Sequence, residues 1–97
     1  MIIVHDTFVC KPGNASKAAK IFKDMMAKSP HFMHILTDLT GQYHRVIMVS
    51  KYDSLAAWEK TQEEYMNPSE DMKKDMAKMG NFQDMYTGGC REIFKVW

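Results

Sequence analysis

The segment from His44 to Lys60, HRVIMVSKYDSLAAWEK, limits most strongly what this chain can fold into. The run VIMV at positions 46–49 is apolar at every residue, which predicts a strand buried on both faces. Asp53 and Ser54 follow as candidate N-caps, and the apolar residues after them recur at helical spacing. In a chain this short a helix layer can cover only one face of that strand, so the other face needs a different cover.

Length and composition predict one soluble domain spanning residues 1–97. The hydrophobic content of 45% and the charged content of 26% are ordinary for a globular protein, and the net charge is only +1. Because the charges are mixed and no basic stripe is present, we expect neither nucleic acid nor a membrane as a partner. The absence of an export signal and the presence of only two cysteines predict a cytoplasmic protein without disulfides.

The rest of the sequence divides into strands and helices by periodicity and by its turn residues. Lys11-Pro12-Gly13 and Ser29-Pro30 predict the ends of the first strand and of the first helix. Asn67-Pro68-Ser69-Glu70 predicts a new helix start, with Asn67 as N-cap, Pro68 at the first helical position and Glu70 as capping-box partner. The predicted elements are strands at 2–10, 31–40, 45–51 and 90–97, a helix from about 15 to 28, and a divided helix from 55 to 66 and from 68 to 80, with 87–89 as a loop.

This order of elements predicts a ferredoxin-like α+β fold, βαββαβ, with a four-stranded antiparallel sheet and both helical segments on one sheet face. The strands are nevertheless apolar on both faces, and an exposed apolar sheet face usually marks an interface. We therefore expect a homodimer formed sheet to sheet. The residues predicted to be covered by the partner copy are Ile3, Val9, Ile47, Val49, Ile93 and Trp97.

Two stretches, IIVHDTFVCKPG at 2–13 and VIMVSKYDSLAAWEK at 46–60, resemble the antibiotic-biosynthesis-monooxygenase-like families of dimeric α/β barrels. In that pattern an apolar first strand ends in Lys-Pro-Gly, and a later strand runs into an aromatic–acid–Ser–Leu–x–Ala helix start. The resemblance implies a dimeric α/β barrel with a pocket between sheet and helices. It also implies a superfamily that contains cofactor-free quinone-forming monooxygenases, haem-degrading enzymes and proteins with no known activity, so the fold alone does not determine the function.

Two positions depart from the enzymatic members of these families. Thr61 stands where many members have a histidine one turn into the second helix. Haem-degrading relatives use an asparagine on the first strand, a tryptophan on the second helix and a later histidine ligand. Asp6 and Trp58 fall at positions similar to the first two, but no histidine follows Trp58. We therefore expect no haem, and no other cofactor.

Asp6 is the strongest candidate for a catalytic residue. The even positions of the first strand form its more apolar face, and Asp6 is the one charged residue among them. A carboxylate with a raised pKa in an apolar cleft serves as a general base, whereas a structural carboxylate is paired with a backbone amide or a nearby lysine. Both interpretations of Asp6 are open at this point.

Three further residues are candidates for substrate binding in the same cleft: Trp58, Tyr65 and Met76. Each has a simpler interpretation as a core residue, since methionine and aromatic side chains at helical spacing usually pack in a core. Met76 belongs to a stripe with Met72 and Met79. The break at Asn67-Pro68 divides the covering helix, which favours an opening at this place.

The histidines and cysteines do not form a recognisable metal site, so we expect no bound metal. Cys10 and Cys90 end and begin strands that are neighbours in a ferredoxin-like sheet. They are interpreted as two buried, reduced cysteines, although a pair close enough to react is the alternative.

Two functions follow as hypotheses. The first is a dimeric barrel that binds a small apolar or aromatic molecule, in its catalytic form a cofactor-independent monooxygenase acting on an aromatic or quinol-like substrate. The second is a non-catalytic dimer of the same fold with a role in stress response or regulation. An open aromatic pocket around an unpaired Asp6 favours the first, and an interface filled by methionine favours the second.

Overall fold

The computed structural model describes residues 1–41, 43–77 and 82–97, with the side chains of residues 75, 76, 82 and 83 outside that description. The elements follow the predicted order, and α2 and α3 are the two pieces of the divided helix. They are β1 (Ile2–Cys10), α1 (Ala15–Met26), β2 (Phe32–Thr37), β3 (Arg45–Tyr52), α2 (Leu55–Met66), α3 (Glu70–Ala77), a short 3-10 helix (Phe82–Met85) and β4 (Tyr86–Lys95).

The four strands form one antiparallel sheet in the order β2-β3-β1-β4. This order places the first and third strands at the centre and confirms the ferredoxin-like α+β fold. The central β3 contains the apolar run 46–49 that was predicted to be buried on both faces, and Val46 and Val49 are both buried.

The even residues of β1 face the helices, as predicted. Val4 is fully buried, Cys10 belongs to the core cluster, and the Phe8 ring packs against Phe22 of α1 at a centroid distance of 4.8 Å. Because neighbouring residues of a strand point to opposite faces, Ile3, His5, Thr7 and Val9 form part of the outer face.

The last strand begins earlier than predicted. β4 starts at Tyr86, so the expected loop at Thr87–Gly89 is part of the strand. Gly89 pairs with Phe8 and Gly88 with Val9, and an irregularity follows between Val9 and Cys10. The two glycines were misleading because glycine usually marks a turn, whereas here it lets two backbones approach closely.

The register of β4 corrects two further predictions. Ile93 lies opposite Val4 and therefore on the helix face, while Phe94 lies opposite Ile3 on the outer face. Cys90 lies opposite Thr7, and it is exposed rather than buried. Since Cys10 faces the core, the two thiols point to opposite faces of the sheet and do not form a pair.

The helix starts agree with the sequence in one case and differ in the other. The Ser54 hydroxyl accepts a hydrogen bond from the Ala57 N–H at 3.1 Å and caps α2. The cap of α3 is Ser69, which accepts from the Met72 N–H at 3.3 Å, and not Asn67. The Asn67 N–H and its side-chain amide nitrogen instead both donate to the Glu63 carbonyl, so Asn67 ends α2 and does not start α3. The predicted helix end at Gly80 lies outside the described residues.

The two main helices cover the sheet unequally. Helix α1 buries Ala18, Phe22 and Met26, whereas no residue of α2 is buried. The core therefore lies under α1, and the sheet under α2 is only loosely covered.

No helix in the described part of the chain is long and apolar enough to cross a membrane.

Gly89 should be intolerant of any side chain. A Cβ at this position lies 2.3 Å from the Thr7 carbonyl oxygen, whereas a Cβ at Gly88 meets nothing within 4 Å. We expect Gly89→Ala to lower the free energy of unfolding by about 1–3 kcal/mol, because the backbone of β1 must shift. Gly88→Ala is the matched control and should cost less than about 1 kcal/mol. Urea denaturation of both variants measures the difference, and equal stabilities would contradict it.

The outer sheet face should be the dimer interface. Leu36 and Phe94 lie on this face and are 43% and 45% exposed, which is unfavourable for a sheet surface facing water. We expect a homodimer at micromolar concentration by analytical ultracentrifugation, and we expect Leu36→Asp to shift it to monomer. Leu55, on α2, is 54% exposed and serves as the control, so Leu55→Asp should leave the mass unchanged. A monomer mass for the unmodified chain would overturn the dimer.

Candidate functional site

A cavity of about 310 Å³ lies between the sheet and the helices, and we call it the cleft. Its floor is formed by alternate residues of β1 and β3, namely Asp6, Phe8, Met48, Ser50 and Tyr52. They all point to the same side because strand residues two apart share a face. The walls come from α1 and α2, where they face each other over the sheet.

The cleft exists because α2 covers its part of the sheet loosely. Gln62 and Tyr65 of α2 reach the cavity, but neither is buried. On the opposite wall Met25 and Met26 of α1 present flexible thioether side chains, which adapt to irregular surfaces. The result is a cavity with a largely apolar and aromatic lining and few polar groups, which is the usual composition of a small-molecule site.

The polar end of the cleft is an ion pair between β1 and β4. The Arg91 Nε donates a hydrogen bond to Asp6 Oδ1 at 2.5 Å, and the guanidinium lies 5.2 Å from the ring centroid of Trp58. The Asp6 side chain is 19% exposed and that of Arg91 45% exposed. The Trp58 ring thus supports Arg91 from behind by a cation–π contact.

The ion pair leaves hydrogen-bonding groups available to a ligand. Arg91 uses Nε for Asp6, and its two terminal nitrogens form no hydrogen bond with the described residues. The same holds for the second oxygen of Asp6. The cleft therefore offers a donor and an acceptor side by side at one end.

Two tyrosines supply further donors along the cleft. The Tyr65 hydroxyl donates to the Met26 sulfur at 3.8 Å, a weak hydrogen bond. Burial raises the pKa of Tyr65, and the negative charges of Glu64 and Asp6 act in the same direction. Burial also raises the pKa of Tyr52, opposed by a hydrogen bond with Ser50. Both phenols are therefore protonated at neutral pH.

The four predicted site residues have different positions. Asp6 and Tyr65 both line the cleft. Trp58 does not belong to the lining and contacts the site through Arg91. The side chain of Met76 lies outside the described residues. Asp6 is paired, but its partner is Arg91 and not the backbone amide or lysine considered from the sequence.

Arg91 is the functional residue that the sequence reasoning missed. Its position can be inferred from the sheet order, since β4 neighbours β1 and Arg91 pairs directly with Asp6. That inference requires the correct start of β4 at Tyr86, and the glycines at 88 and 89 concealed it. Tyr52 was missed because its strand was expected to end one residue earlier.

A second cavity of about 320 Å³ adjoins the cleft, and we call it the side cavity. It lies beyond Met25, Met26 and Tyr65, which line both cavities. Its other lining residues include Thr61 of α2 and His31, which immediately precedes β2. In the described part of the chain, no three His, Cys, Asp or Glu residues are grouped so that they could hold a metal ion.

No protein-family model and no curated protein matches this chain. Solved structures do match over nearly its whole length. The NIPSNAP family protein Atu4242 from Agrobacterium tumefaciens is 13% identical, with a TM-score of 0.80, covering 99% of this chain and 87% of that one. At this identity the match shows a shared fold.

Two other solved structures link the fold to the predicted superfamily. A structure described as an antibiotic biosynthesis monooxygenase has a TM-score of 0.60 at 10% identity and covers 100% of this chain and 99% of its own. MhuD, solved with two manganese protoporphyrin IX molecules per active site, has a TM-score of 0.64 at 17% identity and covers 99% and 94%. The chain therefore shares the fold of these structures, which is the fold that the sequence resemblance implied.

Proposed function

We propose that this protein binds a small, mostly apolar and aromatic molecule in the cleft between the sheet and α2. The main observation in support of this proposal is the presence of the cleft between the sheet and the helices. A core filled by methionine would leave no such space, and the volume of about 310 Å³ lies at the lower end of the range for small-molecule sites. The likeness to NIPSNAP family structures supports the fold but indicates no ligand.

The lining indicates which ligands fit. Phe8, Phe22 and the two tyrosines favour a flat aromatic body, while the Asp6–Arg91 pair accepts and donates hydrogen bonds at one end. A phenol or quinol satisfies both requirements, because its hydroxyl donates to Asp6 and its oxygen accepts from Arg91. A purely aliphatic ligand would cover these polar groups without forming hydrogen bonds to them, at a cost in affinity.

The catalytic form of the proposal is cofactor-independent monooxygenation of such a substrate. Asp6, which is paired with Arg91, takes the phenolic proton, and the electron-rich ring that results is the species that reacts with dioxygen. For 1-naphthol as substrate, one dioxygen gives one 1,4-naphthoquinone and one water. Arg91 would stabilise the negative charge on the deprotonated oxygen.

The second candidate function is a non-catalytic dimer with a role in stress response or regulation. The pairing of Asp6 with Arg91 favours it, since a neutralised carboxylate has a structural explanation. Ligand binding in the cleft is common to both candidates if the regulatory dimer senses a small molecule. A measurement of substrate turnover distinguishes the two candidate functions.

Binding in the cleft is tested with 1-naphthol and a pair of neighbouring variants. Gln62 lines the cleft, whereas Glu63 is exposed and does not. We expect 1-naphthol to bind the unmodified chain, Gln62→Trp to weaken binding at least tenfold by filling the cleft, and Glu63→Trp to leave it unchanged. Isothermal titration calorimetry gives the affinities. Failure of 1-naphthol to bind, or equal effects of the two tryptophans, would contradict the proposed site.

The role of Asp6 is tested by Asp6→Asn, which preserves shape and removes the base. If Asp6 is the base, oxygen uptake and naphthoquinone formation should fall at least about 100-fold. Stability should change by no more than about 1 kcal/mol, because the pair is partly exposed. Asp53→Asn, at an exposed position, is the matched control. A loss of several kcal/mol, or a parent protein without oxygen uptake, would favour the non-catalytic function.

A further inference from the structure

The wall between the cleft and the side cavity is built from only a few side chains. On the helix side it consists of Met25, Met26 and Tyr65, which line both cavities. On the sheet side, Tyr52 lines the cleft and His31 lines the side cavity. The two rings are stacked with their centroids 4.3 Å apart and 22° between their planes. This wall separates two cavities of nearly equal size.

His31 is held in one tautomer by the backbone of β3. Its Nδ1 lies 3.2 Å from the Lys51 carbonyl oxygen, and its own carbonyl accepts the Lys51 N–H at 2.9 Å. A carbonyl oxygen can only accept, so Nδ1 carries the hydrogen and Nε2 of the neutral ring has a free lone pair. The stack on Tyr52 and this hydrogen bond fix the ring, so that Nε2 is a positioned acceptor.

The two cavities together are suited to an elongated ligand. Asp6 lies four residues along β1 from Ile2, the partner of Tyr52, so the cleft extends about 13 Å from the ion pair to the level of Tyr52. The side cavity adjoins the cleft at that level and extends to His31. Either cavity alone is small for a ligand site, whereas both together have about twice that volume.

Tyr65 is the residue that a ligand must pass. Within the described residues its hydroxyl donates one weak hydrogen bond, to the Met26 sulfur, and Tyr65 is 39% exposed. Rotation of Tyr65 therefore loses little, and Met25 and Met26 have flexible side chains. The wall between the two cavities can therefore open without a change in the sheet.

We propose that the side cavity is a second subsite of the cleft, and that His31 Nε2 accepts a hydrogen bond there from the far end of an elongated, mostly apolar ligand. The ligand class is a molecule with an aromatic head at the Asp6–Arg91 pair and an apolar chain that ends in a hydroxyl or another donor. This inference rests on the proposed binding in the cleft. It adds the requirement that the ligand is long enough to reach the side cavity and ends in a hydrogen-bond donor.

Three phenols test the subsite: 4-ethylphenol, 4-octylphenol and 4-(8-hydroxyoctyl)phenol. We expect 4-octylphenol to bind the unmodified chain at least tenfold more tightly than 4-ethylphenol, because its chain enters the side cavity. The terminal hydroxyl of the third probe should add up to about tenfold through His31. Calorimetric titration measures all three affinities.

Two variants distinguish the contribution of the probe's octyl chain from that of its terminal hydroxyl. His31→Phe retains a ring over Tyr52 and removes Nε2, so 4-octylphenol should then bind more tightly than the hydroxylated probe, whose hydroxyl is buried without a partner. Thr61→Trp fills the side cavity, so both long probes should fall to the affinity of 4-ethylphenol. His34→Phe, at an exposed position on the outer face, is the control for the first variant and should preserve the preference for the hydroxyl.

The outcomes distinguish this inference from the function on which it rests. If none of the three phenols binds the unmodified chain, the proposed function itself fails. If 4-ethylphenol binds and the octyl chain adds nothing, the side cavity is not a subsite, and binding in the cleft stands. An unchanged hydroxyl preference in His31→Phe would overturn the role of His31. Thr61→Trp gives an independent result if His31→Phe does not fold.

Discussion

The unequal covering of one sheet face is the constraint on which the rest of this structure depends. Helix α1 places Ala18, Phe22 and Met26 in the core, so it supplies the helix side of the core that packs on the sheet. Helix α2 buries no residue completely and follows directly from the central strand β3, which fixes where it starts. The sheet under α2 is thus held in place by the strands and by α1. A cavity can remain there without loss of the core, and the candidate site occupies a part of the fold that contributes little burial.

The position of Asp6 on a central strand would be unfavourable without Arg91. A carboxylate in an apolar wall loses hydration, and a cation at hydrogen-bond distance compensates for this loss. Each partner also keeps hydrogen-bonding atoms that form no hydrogen bond with the residues described in the structure. Trp58 supports the guanidinium through its ring face and does not occupy the cleft. The three residues therefore form one polar unit at the end of an apolar site, with the tryptophan in a positioning role.

The sequence predicts the fold well and the site in part, for physical reasons. Strand and helix order follow from periodicity, and periodicity also identified the helix-facing parity of β1 correctly. The start of β4 was wrong because Gly88 and Gly89 resemble a turn, although Gly89 is required by the close approach of the Thr7 carbonyl. That error concealed Arg91, whose pairing with Asp6 depends on register. The cap of α3 was misplaced by two residues, since local signals cannot show that the Asn67 amide is already used by α2. Cavities depend on how tightly α2 packs, and no local pattern encodes this.

The two faces of the sheet are coupled through the same strands. β1 presents Asp6 to the cleft and His5 to the outer face, where the His5 ring contacts Phe94 of β4 edge to face at 5.1 Å. Arg91 and Phe94 belong to the same strand, so any cover on the outer face that fixes β4 also fixes the distance between Arg91 and Asp6. β4 is an edge strand, held by a neighbour on one side only. A second copy packed against the outer face would therefore restrain the Asp6–Arg91 contact, in which Arg91 lies on an edge strand. The proposed dimer and the proposed ligand site would therefore be physically coupled, because the strand that completes the candidate site is an edge strand of the sheet.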